Sequence, residues 1–125
     1  MKYLGVDFGL RKIGLATSEG ELSSPLSVLH VSNLSEGIKK IEEIVRGEKI
    51  DKIIVGLPES GVRNFILKAV KKLAQKFDVE TIEETLSSKN AQATMINLGL
   101  SKKKRMEEDA YSAAEILQNY LDAKK

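Results

Sequence analysis

Gly5-Val6-Asp7-Phe8-Gly9-Leu10-Arg11-Lys12-Ile13-Gly14 decides the fold. An apolar strand from Tyr3 to Phe8 is broken by a single carboxylate, Asp7. A short turn with Gly9, Arg11 and Lys12 follows, and a second apolar run, Ile13 to Ala16, begins at once. This is the pattern of a hairpin, with residues 2–8 as a strand buried on both faces and residues 11–18 as its partner. A carboxylate in such a strand is costly unless something pairs with it. A divalent cation such as Mg²⁺ is one natural partner. The plainer alternative is a turn aspartate that accepts hydrogen bonds from nearby amides.

The chain outward from this hairpin is ordinary in bulk. Its 125 residues fit a single domain, 1–125. The net charge of +2 leaves any basic surface local. There is no cysteine, so disulfides and thiolate metal sites are excluded. The one histidine, His30, excludes a His-rich zinc site built within one chain and reads as a surface or rim residue. No apolar run approaches the ~18 residues that span a bilayer. The N-terminus lacks the layout of a signal peptide, which suggests a soluble, cytoplasmic protein.

After the hairpin, residues 25–31 read as a third strand, with Pro25 at its start. Asn33 offers an N-cap and Glu36 its capping-box partner, and apolar residues at helical spacing run to a stop at Gly47. Ile50 to Leu57 reads as a buried strand, Val62 to Phe77 as an amphipathic helix, and Val79 to Glu83 as a short strand. Ser87 caps an expected helix to Leu98, and a final helix is expected from about Arg105 to Asp122. Short turns make strands one to three antiparallel, and helical connections make the later strands parallel to the first. The expected fold is α/β: a mixed five-stranded sheet with helices on both faces.

Three carboxylates sit where such a fold builds sites. Asp7 lies at the carboxyl end of the first strand, and Glu83 and Glu84 at that of the last, so they reach one rim of the sheet. Two adjacent glutamates are more commonly solvated charge. On the last helix, at 100° per residue from Met106, the apolar stripe spans about −80° to +80° and contains Asp109 at about −60°. Glu107, Glu108, Glu115 and Asp122 fall outside that stripe. A lone carboxylate there needs a cation, either a metal or a buried lysine or arginine. Converging carboxylates suit two-metal phosphodiester hydrolysis with Mg²⁺ or Mn²⁺. Arg11 and Lys12 on one side, and Lys102, Lys103, Lys104 and Arg105 on the other, flank these acids as a phosphate track would.

The sequence also resembles a known family. Gly5-Val6-Asp7-Phe8-Gly9 with Arg11-Lys12-Ile13-Gly14 is similar to the opening motif of the YqgF/RuvX family. Ile53 to Pro58 resembles its Val-Gly-Leu-Pro strand end, and Glu83 to Ser88 its Asp-Glu-Arg-Leu-Thr-Thr motif. Glu108-Asp109 with Ala113-Ala114 and Ile116-Leu117 resembles its closing helix. The resemblance implies an RNase H-like fold related to Holliday junction resolvases. It implies a nuclease maturing the 5′ end of pre-16S rRNA, on the ribosome or its precursor, with Asp7, Glu84 and Asp109 as metal-binding catalytic acids. Thr85 stands where the family has arginine, Glu83 replaces an aspartate, Glu108 replaces an apolar residue, and the loop after Pro58 is shortened.

Other readings are a branched-DNA resolvase, for which a symmetric dimer is expected, and a non-catalytic RNA- or ribosome-binding module. An actin-like or sugar-kinase ATPase would need two such domains.

Overall fold

The computed structural model describes residues 1–59, 61–83 and 108–124, with side chains in the last stretch from Ala110 onward. The expected helix from Ser87 to Leu98 and the cluster Lys102 to Arg105 lie outside them. The order is β1 (Tyr3–Phe8), β2 (Lys12–Ser18), β3 (Ser24–His30), α1 (Leu34–Gly47), β4 (Lys52–Leu57), α2 (Arg63–Ala74), β5 (Val79–Glu83) and α3 (Glu108–Ala123). The strands form one five-stranded sheet in the order β3-β2-β1-β4-β5. The pairs β1–β2 and β2–β3 are antiparallel, and β1–β4 and β4–β5 are parallel. This is the mixed sheet expected from the connection lengths.

Successive residues of a strand face opposite sides, and here each side meets its own helices. Leu4, Val6, Phe8, Ile13, Leu15, Ile53, Val55 and Leu57 pack with Ile38, Ile41 and Val45 of α1 and Ile66, Ala69 and Leu73 of α2. Tyr3, Ala16 and Ile54 pack on the other side with Ala113, Ile116, Leu117, Tyr120 and Leu121 of α3. Helices therefore cover both faces.

Gly5 governs how closely α3 lies on the sheet. A Cβ at Gly5 would sit 2.8 Å from Leu117 Cβ and 2.9 Å from the Ala113 carbonyl oxygen. At one end of this contact Tyr3 and Tyr120 meet edge to face at 5.8 Å. The side of α3 is tied down by the turn after β2. Ser23 Oγ donates to the Ala114 carbonyl at 2.6 Å, Ser23 N–H donates to Gln118 Oε1 at 2.9 Å, and Gln118 Nε2 donates to the Glu21 carbonyl at 2.8 Å.

Local signals held with small shifts. Asn33 caps α1 by accepting from the Glu36 N–H at 2.9 Å, but Glu36 reaches back to Ser32 N–H at 3.0 Å, one residue before the cap. The helix ends at Gly47 as expected, yet Lys49 takes the left-handed conformation, with φ 56°. The helix α2 stops at Ala74, three residues before the expected Phe77, whose N–H still bonds the Leu73 carbonyl at 2.9 Å. A bulge falls where β3 passes Leu15 and Ala16. Among the described residues, no helix is long and apolar enough to cross a membrane.

Candidate active site

Asp7 is half-buried and sits one residue from the carboxyl end of β1. The pleat puts it on the α3 face with Tyr3 and Gly5. Its partner across β2 is Gly14. On the other side, β4 pairs with β1 up to Val6↔Val55, and continuing that register by one residue puts Gly56 beside Asp7. The carboxylate is thus flanked by two residues without side chains. Neither neighbouring strand places a side chain beside Asp7 on this face.

The helix α3 arrives over this position with its N-terminal turn. It runs back along β1, from Tyr120 over Tyr3 to Ala113 and Leu117 over Gly5. Two further strand residues advance about 6.6 Å, which equals about four helical residues at 1.5 Å each. The level of Asp7 is therefore the first turn of α3, which contains Asp109 in its backbone. That end of a helix carries the positive end of its dipole and favours a nearby carboxylate. The buried positions of α3 are Ala110, Ser112, Ala113, Ile116, Leu117, Tyr120 and Leu121. The side chain of Asp109 lies outside the described residues.

The last strand ends at the same rim, with Glu83 paired to Leu57. Its carboxylate is committed elsewhere. Arg63, at the start of α2, grips it with two hydrogen bonds, Nη1 to Oε1 at 2.8 Å and Nη2 to Oε2 at 3.1 Å. Arg63 Nη1 also donates to the Pro58 carbonyl at 2.8 Å. One guanidinium thus ties the end of β4, the start of α2 and the end of β5 together. Glu84 lies outside the described residues, as do Lys102, Lys103, Lys104 and Arg105. Among the described residues no three acidic or histidine side chains come together.

The Arg63 hydrogen bonds hold the Glu83 carboxyl below its ordinary value of 4.5. A carboxylate with a depressed folded pKa adds stability above its unfolded pKa and loses it as pH falls through the folded one. Glu83→Gln should therefore lower the thermal midpoint near neutral pH. The gap to wild type should close as pH drops below about 4.5. A constant gap from about pH 7 to about pH 3 in thermal denaturation would remove the charge from this contact.

Arg11 lies in the turn between β1 and β2, and Lys12 opens β2. The hairpin closes with Gly9 N–H donating to the Lys12 carbonyl at 2.8 Å. A Cβ at Gly9 would lie 2.8 Å from that oxygen, so the turn requires glycine. Arg11 is exposed at the tip, where its carbonyl accepts from Val31 N–H at 2.9 Å. Lys12 shares the α3 face with Gly14 and lines a cleft with Ala110. The sequence reading gave no role to Arg63 or to the glycines beside Asp7. Gly56 in the Val-Gly-Leu-Pro strand end was the available signal for the latter.

A mixed sheet of this order, with helices on both faces, is that of the RNase H-like fold class. Among solved structures it is similar to the resolvase RuvC of T. thermophilus in complex with a Holliday junction substrate, with TM-score 0.67 and 17% identity over 99% of this chain and 95% of that one. The Fowlpox virus resolvase in complex with Holliday junction DNA matches with TM-score 0.65 and 13% identity over 98% of each chain. These identities speak for the fold alone. The RuvX family model, described as "Holliday junction resolvase", matches residues 1–123, and the chain belongs to that family. Relatives named "Putative pre-16S rRNA nuclease" include one from Natranaerobius thermophilus, 32% identical over 98% of this chain and 94% of its own. Another, from Bacillus cytotoxicus, is 32% identical over 99% of this chain and 100% of its own.

Proposed function

We propose that this chain is a divalent-metal-dependent endonuclease that cleaves structured RNA, processing the 5′ end of pre-16S rRNA on the ribosome precursor in the cytoplasm. The observation that carries the reading is the half-buried carboxylate of Asp7, set between Gly14 and the Gly56 position and facing the first turn of α3. Carboxylate oxygens are hard donors of the kind Mg²⁺ or Mn²⁺ takes. Asp7, Glu84 and Asp109 would hold the metal. Glu83 is already taken by Arg63, so its neighbour Glu84 is the acid proposed for the metal. Such ions would supply charge stabilisation to the attacking and leaving oxygens of phosphodiester hydrolysis. Arg11 and Lys12 hold the phosphate backbone, with Lys102, Lys103, Lys104 and Arg105 extending the track. The names of the relatives support RNA as the substrate. The likeness to resolvases makes branched DNA the second reading.

The test is incubation of the pure protein with Mg²⁺ or Mn²⁺ and two substrates, a pre-rRNA 5′ leader and a four-way junction. Metal-dependent cleavage of the leader is expected. Cutting of the junction alone would transfer the activity to DNA, and cutting of neither would leave a binding module. In the same series, Arg11→Ala and Lys12→Ala should each flatten the salt dependence of RNA affinity by about one unit of slope per lost phosphate contact. An unchanged slope would take both residues off the backbone.

A further inference from the structure

We infer that the cleft between β3 and the first turn of α3 receives one unpaired nucleotide of the substrate strand, adjacent to the scissile phosphate. The inference rests on the nuclease reading and narrows its substrate to one with a single-stranded flank at the cut.

The cleft measures about 410 Å³ and is lined by Lys12, Pro25, Leu26, Ser27, Val28, His30 and Ala110. That volume is within the ~300–1,000 Å³ typical of small-molecule sites. Its chemistry is divided as a nucleotide is divided. Pro25, Leu26, Val28 and Ala110 supply an apolar surface, while Lys12, His30 and the Ser27 hydroxyl supply donors. Among the described residues no acid lines the cleft. A base has an apolar face for stacking and its phosphate needs a cation, and single-strand sites combine those two features. A base inside a duplex keeps its faces stacked on its neighbours, so only an unpaired one can enter.

Sheet register connects this cleft to the candidate acid. Asp7 pairs with Gly14, and Gly14 pairs with Val28. The three residues form one row across β1, β2 and β3, on the face that α3 covers. Because the middle member is glycine, β2 places no side chain between Asp7 and Val28 in this row. Two strand spacings, about 10 Å in all, separate the ends of the row. One row nearer the turn, Lys12 faces His30 across the same pair of strands. Lys12 and the His30 imidazole thus line the end of the cleft nearest the hairpin tip. β3 is an edge strand, so the cleft opens to solvent on its far side and the chain can continue outward.

The experiment uses the full chain without metal and fluorescence anisotropy. The probes are a blunt RNA duplex, the same duplex with a single-stranded RNA flank, and one with a DNA flank. Wild type should prefer the flanked RNA duplex over the blunt one. Loss of one base stack corresponds to roughly 5- to 150-fold in affinity. His30→Ala and the cleft-filling Val28→Trp should each reduce that preference by an amount in this range. Either variant whose thermal midpoint departs from wild type is set aside in favour of the other. A 4-thiouridine in the flank should cross-link to peptides containing Pro25 to His30. A flank preference unchanged in His30→Ala, or cross-links confined to other segments, overturns the cleft while the nuclease reading stands. Wild type that binds none of the probes overturns both. Equal binding of the RNA and DNA flanks keeps the cleft and places sugar recognition elsewhere.

Discussion

Asp7→Asn and Asp109→Asn are each expected to reduce metal-dependent RNA cleavage to background while RNA binding persists. Both changes keep the size and shape of the side chain and remove the charge that would hold the metal. Phosphate contacts from Arg11 and Lys12 do not depend on that charge. On the metal-site reading an uncompensated carboxylate at Asp109 is a liability without metal, so the stability of Asp109→Asn in metal-free buffer should hold or rise. The competing reading makes Asp109 one half of a buried pair with a lysine or arginine. Breaking such a pair costs about 3–5 kcal/mol, and activity would then be lost only through unfolding. Thermal unfolding without metal, run beside a cleavage assay with it, separates the two. A destabilised Asp109→Asn that still cuts RNA when kept cold would remove that residue from the catalytic set. An Asp7→Asn variant that cuts normally would reduce Asp7 to the turn aspartate that its position beside Gly9 also allows.

What the sequence made legible was whatever depends on local pattern. Connection length alone separated the antiparallel β1–β2–β3 meander from the parallel β4 and β5, as observed. The apolar stripe of the last helix identified the side buried on the sheet, since Ala110, Ala113, Ile116, Leu117, Tyr120 and Leu121 are all buried. Ser112 is buried too, at 4% exposure, and was not expected, because its burial comes from packing across several strands and not from periodicity. Contacts between distant segments were not legible. Arg63 and Glu83 are 20 residues apart, and neither type is distinctive in a chain with 20 Lys+Arg and 18 Asp+Glu. Lys49 in the left-handed region could not be read because glycine usually marks that position. The β3–α3 cleft depends on the register that sets Lys12 against His30 and Gly14 against Val28, which a strand pattern does not define.

Gly5→Ala should be more damaging than the same change at Gly37 or Gly47. The new Cβ would meet Leu117 Cβ at 2.8 Å and the Ala113 carbonyl oxygen at 2.9 Å. One is the root of a side chain and the other is backbone, so neither can swing away, and α3 must lift from the sheet. Overpacking of this kind costs typically about 1–3 kcal/mol. Gly37 offers a control, because its nearest obstacle at 2.7 Å is Ile13 Cδ1, the far end of a flexible side chain. Gly47 offers a second, since a Cβ there meets nothing within 4 Å and its conformation is helical. Gly47→Ala should gain up to about 0.4–1 kcal/mol by restricting the unfolded chain. Urea denaturation of the three variants should therefore rank Gly47→Ala above Gly37→Ala and place Gly5→Ala lowest. Lifting α3 also moves its first turn away from Asp7. Gly5→Ala should then lose cleavage even at temperatures where it is fully folded, whereas Gly47→Ala should cleave as wild type does. A folded Gly5→Ala with full activity would mean that the close seating of α3 serves stability alone.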